Sequence, residues 1–240
     1  MADCSFLNHR IGIDIHNFMA DMASNHEIVN NTFNLIPGDA NEIGYHIRIN
    51  GGLYDKIHDN TFGHLFTTTQ GLNSIGIQTV AASKFFITEN SFYYMDTAIQ
   101  VIKSGIGGGE IRADLSSYHD DWQGNIFSNC QENILTQIDN PRLRLRCNMC
   151  NNNIPGTTPL NIRNEGILAN QGYIPPSPPV TLQYKYGAGN EFDGSAANPR
   201  LTLSDNSYIY YHHTAPLSTI PLPIDFLTDG VVASLPRGVI

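Results

Sequence analysis

The sequence predicts a mainly β protein, an antiparallel β-sandwich or jelly roll with a short amphipathic helix near the N-terminus. Several segments alternate apolar and polar residues with a period of two, as half-buried strands do. Glycine and proline separate these segments, and many short strands joined by such turns are typical of sandwiches and jelly rolls. One segment near the N-terminus has instead the 3.6-residue period of a helix.

The predicted helix covers residues 14–24. Apolar residues recur there at i, i+3, i+4 and i+7: Ile15, Phe18, Met19 and Met22. Asp14 is a suitable N-cap, and Asn25 stands where the helix would end. Because a short isolated helix is only marginally stable, it must pack on its own domain or on a neighbouring chain. We therefore expect residues 1–30 to form a helical arm whose four apolar residues make assembly contacts.

Residues 31–240 are predicted to form a single β-sandwich domain. The strand candidates lie at 43–49, 62–69, 75–79, 85–88, 98–102, 110–115, 143–147, 180–186 and 207–213. A second short helix is predicted at 129–138, ended by Pro141, and a long loop at 148–179. The sequence indicates no internal repeat, and the proline-rich stretch 175–179 is the best candidate for a linker.

Composition and charge restrict the classes of function. The charged share is 15%, against roughly 25% in typical domains, and 25 residues are asparagine. Depletion of charge is expected where surface becomes contact, although compositional drift in the source genome explains it equally well. The net charge of −9 and the pI near 5.3 argue against broad nucleic-acid binding, which requires a basic face.

The N-terminus and the cysteines indicate a cytosolic protein. Residues 1–10 have neither an apolar run nor a small-residue cleavage site, and no stretch reaches the ~20 apolar residues of a membrane span. The four cysteines are therefore expected to be reduced: Cys4, Cys130, Cys147 and Cys150. The last two form a CxxC pair, but a zinc site usually needs a second pair at a suitable spacing. We predict no metal and no cofactor, and no membrane partner.

The most distinct charge pattern is a run of three arginines, Arg142, Arg144 and Arg146. At strand period they share one face of a strand, where like charges require a counter-charge. Acidic neighbours on the same protein would satisfy them. A nucleotide or RNA phosphate would do so as well, which makes the three arginines candidates for binding nucleotide or phosphate.

Other clusters of polar residues do not form a catalytic motif. The segment 118–122 combines histidine, two aspartates and the only tryptophan, Trp122, and His212 and His213 end an aromatic segment. Asp14 and His16 form a further pair. No nucleophile elbow and no HExxH motif occurs in the sequence. We therefore predict that the protein is not an enzyme and has no catalytic residues.

The predicted arrangement resembles the cypovirus polyhedrins, insect-virus proteins that form intracellular crystals around virus particles. The features that carry the resemblance are the helix with Ile15, Phe18, Met19 and Met22, the strands that follow, and the tyrosine-rich segment 208–211. The resemblance implies a self-assembling viral structural protein of occlusion bodies, with itself and virus particles as partners, in the host cytoplasm. The helix of that family reaches into neighbouring molecules.

Three other functions fit the sequence. A jelly-roll capsid protein of a small virus would also assemble with itself, although the acidic balance makes contact with a genome less direct. A carbohydrate-binding β-sandwich would use Trp122, tyrosines and asparagines to stack on sugars and hydrogen-bond to them. A hydrolase would need a His/Asp site that only the fold assembles.

Overall fold

A computed structural model of the chain describes residues 1–7, 10–17, 24–35, 43–64, 73–104, 109–112, 124–146, 148–151, 160–168, 171, 191–192, 201–202, 209–214 and 231–236. These residues form strands in three long parallel sheets and one separate pair. The first sheet contains β1 (Ser5–Leu7), β4 (Thr32–Leu35), β7 (Thr61–His64), β10 (Ser91–Tyr93), β13 (Ile126–Ser128), β16 (Met149–Asn151) and β18 (Glu191–Phe192).

The second and third sheets interleave with the first along the chain. The second contains β2 (Ile11–His16), β5 (Gly44–Asn50), β8 (Ser74–Val80), β11 (Thr97–Ile102), β14 (Glu132–Gln137), β17 (Leu160–Glu165) and β19 (Leu201–Thr202). The third contains β3 (Glu27–Val29), β6 (Lys56–His58), β9 (Phe85–Thr88), β12 (Gly109–Arg112) and β15 (Leu143–Arg146). Among the described residues, β20 (Ile209–Thr214) and β21 (Val231–Pro236) pair with each other in a separate two-stranded sheet.

The strand order makes the fold a parallel β-helix. The chain visits the three sheets in turn, and each strand of one coil pairs in parallel with the corresponding strand of the next coil. The register places like residues beside each other, as with Phe33 and Phe62 or Ile47 and Ile77. In such a solenoid each coil contacts only its neighbours, so stability is the sum of many local interfaces.

Rows of identical side chains fill the interior. In the row from the first sheet, the aromatic rings stack at centroid distances of 4.6, 4.9, 4.7 and 5.2 Å along Phe6, Phe33, Phe62, Phe92 and Phe127. The last four of these phenylalanines are fully buried. Buried isoleucines from the second sheet form a parallel row: Ile47, Ile77, Ile99, Ile134 and Ile162. Each coil therefore offers the next one a matching apolar surface.

A ladder of buried asparagines occupies the corner between the third and the first sheet. Its members are Asn31, Asn60, Asn90, Asn125 and Asn148, separated by 29, 30, 35 and 23 residues. The side-chain Nδ2 of Asn60 donates to Oδ1 of Asn90 at 3.0 Å and to the carbonyls of Ile28 and His58. The ladder thus satisfies backbone groups that the turn removes from the sheets.

The residue before each of the first three ladder asparagines has a left-handed backbone. Asn30, Asp59 and Glu89 have φ values of 55°, 54° and 57°. A left-handed residue bends the chain sharply, so that it passes from the third sheet into the first at this corner, where the asparagine side chain is buried. The sequence consequently repeats a four-residue unit with asparagine second and, in four of its five copies, phenylalanine fourth: 30–33, 59–62, 89–92, 124–127 and 147–150.

The predicted antiparallel β-sandwich or jelly roll is wrong, because the pairing of all three long sheets is parallel and follows the coils. The predicted N-terminal helix is also wrong where the structure describes it. Asp14 and Ile15 lie in β2, in which Ile11, Ile13 and Ile15 alternate with a period of two. Ile15 packs against the core of its own chain. Phe18, Met19 and Met22 lie outside the described residues.

Other expectations for individual segments have mixed outcomes. The second helix, at 129–138, is wrong, since β14 occupies most of it, and the long loop at 148–179 contains β16 and β17. Strands predicted at 43–49, 75–79, 85–88, 98–102 and 143–147 are confirmed by β5, β8, β9, β11 and β15. The division into an arm of residues 1–30 and a domain of residues 31–240 stays a prediction. Within that division, β1–β3 pair with β4–β6.

Candidate functional site

Charged and titratable side chains concentrate where the first coil, β1–β3, joins the second coil, β4–β6. We call this region the terminal junction. The strands β1, β2 and β3 are the end strands of their sheets, so their inner edges pair with the second coil. The outer edge of β3 is covered by the N-terminus: Ala2 forms a parallel bridge with Val29, whose N–H donates to the carbonyl of Met1 at 3.0 Å, and the N-terminal ammonium donates to the carbonyl of Glu27 at 2.7 Å. Within the described part of the chain, no strand pairs with the outer edges of β1 and β2. The terminal junction therefore combines an intramolecular interface with an open sheet edge.

The orientation of the edge follows from the hydrogen bonds of β1. The N–H of Thr32 donates to the carbonyl of Cys4 at 2.9 Å, and the N–H of Cys4 donates to Oδ1 of Asn31 at 3.0 Å. Successive residues of a strand direct their backbone groups to opposite sides, so those of Ser5 and Leu7 face away from β4. The Leu7 side chain is 60% exposed. An edge of this kind can accept another strand.

An ion pair joins the two coils on the outer surface of the second sheet. Nη2 and Nε of Arg48 donate to the two carboxylate oxygens of Asp14 at 2.6 and 3.0 Å. The hydrogen bond from Arg48, opposed in part by burial, lowers the pKa of Asp14 below its ordinary value. His16 contacts the same carboxylate at 2.9 Å. The predicted Asp14 and His16 pair is therefore real, but the partner that connects the coils is Arg48.

A buried carboxylate lies at the next corner. Asp55, 1% exposed, accepts at Oδ1 from the hydroxyl of Ser24 at 2.7 Å and from the backbone N–H of His26 at 3.0 Å. Nδ1 of His26 lies 3.0 Å from the same oxygen. Since Ser24 and His26 belong to the first coil and Asp55 to the second, this carboxylate connects the coils. The imidazole of His26, which is 44% exposed, thus contacts a buried carboxyl group.

The other carboxylate oxygen of Asp55 lies against Gly52. A Cβ added to Gly52 would lie 1.7 Å from Oδ2 of Asp55 and 2.9 Å from Cγ2 of Ile49. Oδ2 is buried and has no hydrogen-bond partner within the described residues. Glycine is therefore needed at this position for close approach of the backbone to the carboxylate.

His58 connects the coils a second time. Its Nε2 lies 3.1 Å from Oε1 of Glu27 on β3, and its Nδ1 lies 2.8 Å from Oδ2 of Asp59. Burial opposes the charged form of His58, but hydrogen bonds to Asp59 and Glu27 more than offset it. The net effect raises the pKa of His58 above its ordinary value of 6.5. A protonated His58 therefore bridges two carboxylates, one on each coil.

A glutamine side chain covers the outer edge of β15, the last strand of the third sheet. Oε1 of Gln171 accepts from the N–H of Leu145 at 2.7 Å, and Nε2 of Gln171 donates to the carbonyl of Leu143 at 3.1 Å. The amide of Gln171 thus takes the place of a neighbouring strand beside β15, the end strand of that sheet. At the other end of the same sheet, the N-terminal residues Met1 and Ala2 cover β3, whereas the outer edges of β1 and β2 have no partner strand among the described residues.

The three predicted arginines lie at this far end. Arg144 is on β15, and its Nη1 donates to Oε1 of Glu110 on β12 at 3.3 Å. An acidic neighbour thus supplies the counter-charge for Arg144, while Arg142 is exposed in the turn before the strand. Arg146 pairs in register with Arg112, a residue that sequence reasoning did not select. Binding of nucleotide or phosphate at Arg142, Arg144 and Arg146 stays a prediction.

The remaining candidates do not form a described site. Cys130 is fully buried, and burial raises the pKa of its thiol to about 12, which makes it unreactive. Cys147 of the CxxC pair and the segment 118–122 with Trp122 lie outside the described residues. Across the part of the chain that the structure describes, no group of three or more His, Cys, Asp or Glu side chains is placed to hold a metal ion.

Sequence reasoning missed most of the terminal junction. Its carboxylates and imidazoles are far apart in sequence, with separations of 29 residues for His26 and Asp55 and 31 for Glu27 and His58. The spacing of the asparagine and phenylalanine unit was the available signal, because residues one unit apart occupy neighbouring coils. Applied to His26 and Asp55, that spacing would have placed them together.

No protein-family model, no curated protein and no solved structure matches this chain. Among the described residues, no helix has both the length and the apolar character to cross a membrane.

Proposed function

We propose that this chain is a self-assembling structural protein that adds copies of itself at the outer edge of its first coil. The observation that carries the proposal is the open edge of β1 and β2, which end their sheets at the same place in the described part of the chain. Two adjacent parallel edges present backbone donors and acceptors that another chain can extend.

The inward residues of the first coil support this proposal. Phe6, Ile13 and Ile28 continue rows that run through the following coils, beginning with Phe33, Ile47 and Ile57. Phe6 stacks on Phe33 at 4.6 Å and remains only partly buried. A coil with the same rows could therefore stack on the first coil with the packing already present inside the molecule.

The composition agrees with contact between copies. Only 15% of the residues are charged, so close approach of two surfaces requires little removal of charge from water. The last strands of the first two sheets also have apolar residues at the register positions of the inner rows, Phe192 beside Cys150 and Leu201 beside Ile162. Coils with compatible sequence thus occur at both ends of these two sheets.

The more specific identity stays a prediction. An occlusion-body matrix protein of an insect virus, or a capsid protein, would also assemble with itself, but both expectations were based on an antiparallel sandwich. The parallel β-helix removes that structural argument. What supports the present proposal is the open edge, together with the inner rows of the first coil and the low charge, and none of these depends on the source of the protein.

The edge can be blocked without disturbing the first coil. In the double variant Ser5→Pro/Leu7→Lys, proline removes an outward donor of β1, and lysine adds charge beside the edge. We expect assemblies of the parent chain, measured by light scattering and electron microscopy, to be reduced at least about tenfold in the variant. Circular dichroism should show unchanged β content.

A matched substitution tests whether added charge alone is responsible. Ile138→Lys places the same charge on a side chain that is 53% exposed, at a corner of the fifth coil. This control should assemble like the parent chain. A parent chain that stays monomeric at all accessible concentrations, or equal assembly of the edge variant and the parent, would contradict the proposal.

A second function, carbohydrate binding, is favoured by the outer face of the first sheet. Hydroxyl side chains from successive coils align there in register, along Ser5, Thr32, Thr61 and Ser91. Tyr93 lies in the neighbouring row beside Gly63 and is 38% exposed. A flat row of hydroxyls next to an exposed aromatic ring is suited to an extended sugar chain.

The carbohydrate function makes a separate prediction. Tyr93→Ala should abolish most binding of the parent chain to a glycan array, because the stacking surface is lost. Tyr54→Ala, which removes a tyrosine that is 41% exposed at a different corner, should leave binding unchanged. Absence of any glycan signal from the parent chain, or equal losses in the two variants, would rule the function out.

A further inference from the structure

Histidine and carboxylate contacts are restricted to one part of the fold. Among the described residues, every such ion pair involves the first two coils: His16 with Asp14, His26 with Asp55, and His58 with Glu27 and Asp59. Ion pairs between later coils use arginine instead, as in Arg144 with Glu110 and Arg163 with Glu132. Within the described ranges, the histidine and carboxylate contacts between coils therefore lie where the first coil docks on the second, and histidine is the side chain that titrates near neutral pH.

Two of these contacts cross from one coil to the other. Nδ1 of His26 on the first coil faces Asp55 on the second, at 3.0 Å. Nε2 of His58 on the second coil faces Glu27 on the first, at 3.1 Å. We call these two contacts the histidine latch. His16 differs from them, because its carboxylate partner Asp14 lies on the same strand.

Other polar contacts also hold the first coil: the hydroxyl of Ser24 bonds to Asp55 and to the backbone of Leu53. The asparagine ladder reaches the coil through its backbone, where Cys4 donates to Asn31 and the carbonyls of Met1, Val29 and Ile28 accept from Asn31 and Asn60. The phenylalanine stack ends at Phe6. The Asp14 and Arg48 pair is exposed to water, where such pairs contribute little. The latch is thus the part of the polar contact between the coils that uses imidazole side chains.

We propose that protonation of His58 in the histidine latch sets how firmly the first coil is docked, and so whether the assembly edge is held in place. With His58 protonated, its bond to Glu27 of the other coil is an ion pair. With His58 neutral, Glu27 loses this positive partner. The link to assembly rests on the proposed function, whereas the docking of the coil does not.

The direction of the pH dependence follows from His58. Hydrogen bonds to Asp59 and Glu27 raise its pKa in the folded state despite partial burial. A group with a raised folded-state pKa contributes stability that is complete below the unfolded-state value, near 6.5, and is lost as pH rises through the folded-state value. The groups that face His58 are Glu27 on β3, Asp59 at its own corner and the neutral Thr88 on β9. The first coil should therefore loosen as pH rises above neutrality.

The test measures docking and assembly separately. Hydrogen exchange of the β1 and β3 amides, corrected for intrinsic rates, is followed from pH 6 to pH 8.5 in the Ser5→Pro/Leu7→Lys background, which is kept monomeric. We expect protection of these amides to fall at least about twofold over this range, while amides of β8 and β11 stay constant. NMR titration should give His58 an apparent pKa above 6.5.

Matched variants assign the effect to the latch. Glu27→Gln keeps a hydrogen-bond acceptor but removes the charge, and it should flatten the pH dependence of protection. Glu110→Gln removes a carboxylate that pairs with an arginine and should leave the dependence unchanged.

The outcomes separate the two proposals. The latch proposal would be overturned if the protection of the β1 and β3 amides from exchange did not change with pH. It would also be overturned if this protection changed equally with and without the Glu27→Gln substitution. Protection that changes as expected, in a parent chain that never assembles, would support the latch and refute the proposed function. When both hold, scattering by the parent chain should fall over the same pH interval in which protection of β1 and β3 is lost.

Discussion

Asn90→Ala is expected to lower the free energy of unfolding by at least about 3 kcal/mol, because several buried groups lose their partners together. Oδ1 of Asn90 accepts from the backbone N–H and from Nδ2 of Asn60, both at 3.0 Å. Its Nδ2 donates to the carbonyls of Ile57 and Thr88, both at 2.9 Å. Alanine cannot replace any of these bonds, and the site is closed to bulk water. Urea unfolding followed by circular dichroism measures the loss.

Asn34→Ala is the matched control for the ladder. Asn34 lies on β4, only partly buried, and is not a member of the ladder. The same substitution should change stability there by less than about 0.5 kcal/mol. If the two substitutions lowered the free energy of unfolding by similar amounts, the ladder would not be the reason that Asn90 stabilises the protein.

Phe92→Ala is expected to cost about 3–5 kcal/mol, the range for removing a large aromatic side chain from a packed interior. Phe92 is fully buried, with rings stacked on both sides at 4.7 Å from Phe62 and 5.2 Å from Phe127. A Cβ at Gly76 would lie 2.8 Å from Cε1 of Phe92, so the opposite sheet also packs closely against the ring. Neighbouring coils are in register and can collapse only slightly into the cavity.

The same change at Phe86 provides the comparison. Phe86 lies on β9 between the buried Phe85 and Ile87, and its own side chain is only partly buried. Phe86→Ala should therefore cost less than half as much as Phe92→Ala. Thermal unfolding monitored by calorimetry compares the two. Equal losses would show that the stacked row has no special role in holding the coils together.

Both substitutions also test the solenoid character of the molecule. Because each coil contacts only its neighbours, damage in the fourth coil should separate the protein into two partly independent parts. The unfolding transition of Asn90→Ala or Phe92→Ala should then be broader than that of the parent chain. A transition that moves without broadening would indicate a single cooperative unit.

The strands were predictable, and the N-terminal helix illustrates where local pattern fails. Ile15 belongs both to a 3.6-residue stripe with Phe18 and to a period-two series with Ile11 and Ile13. Local periodicity cannot decide between the two, because each describes one face of a short segment. Pairing of β2 with β5, from Ile11 beside Tyr45 to His16 beside Asn50, decides in favour of the strand.

The repeat was present in the sequence but was obscured by variable spacing. Successive ladder asparagines are separated by 29, 30, 35 and 23 residues, so no fixed period exists. The constant feature is the short unit at the corner, with asparagine second and two strand residues after it, and a left-handed residue before the asparagine in the first three copies. Connections between coils vary in length because they lie outside the packed interior, where insertions are tolerated.

The terminal junction could not be located from single motifs. Glu27 and His58 belong to strands of different coils, and His26 and Asp55 belong to corners of different coils. Each pair therefore forms only when the coils stack. Arg144 shows the opposite case. Its strand face was predictable from alternation, but its partner Glu110 became identifiable only through the pairing of β12 with β15.

The sequence by itself determined that this protein is mainly β and that it has few charged residues. It also determined the positions of several of the described strands. These properties depend on local alternation and on composition. Only the tertiary structure decided that the strands pair in parallel as coils, and which histidine meets which carboxylate. The reason is physical: alternation specifies which face of a strand is buried, but a parallel and an antiparallel neighbour can both cover that face. The choice is made by contacts between coils, such as the asparagine ladder and the phenylalanine stack, whose partners are 23 to 35 residues apart.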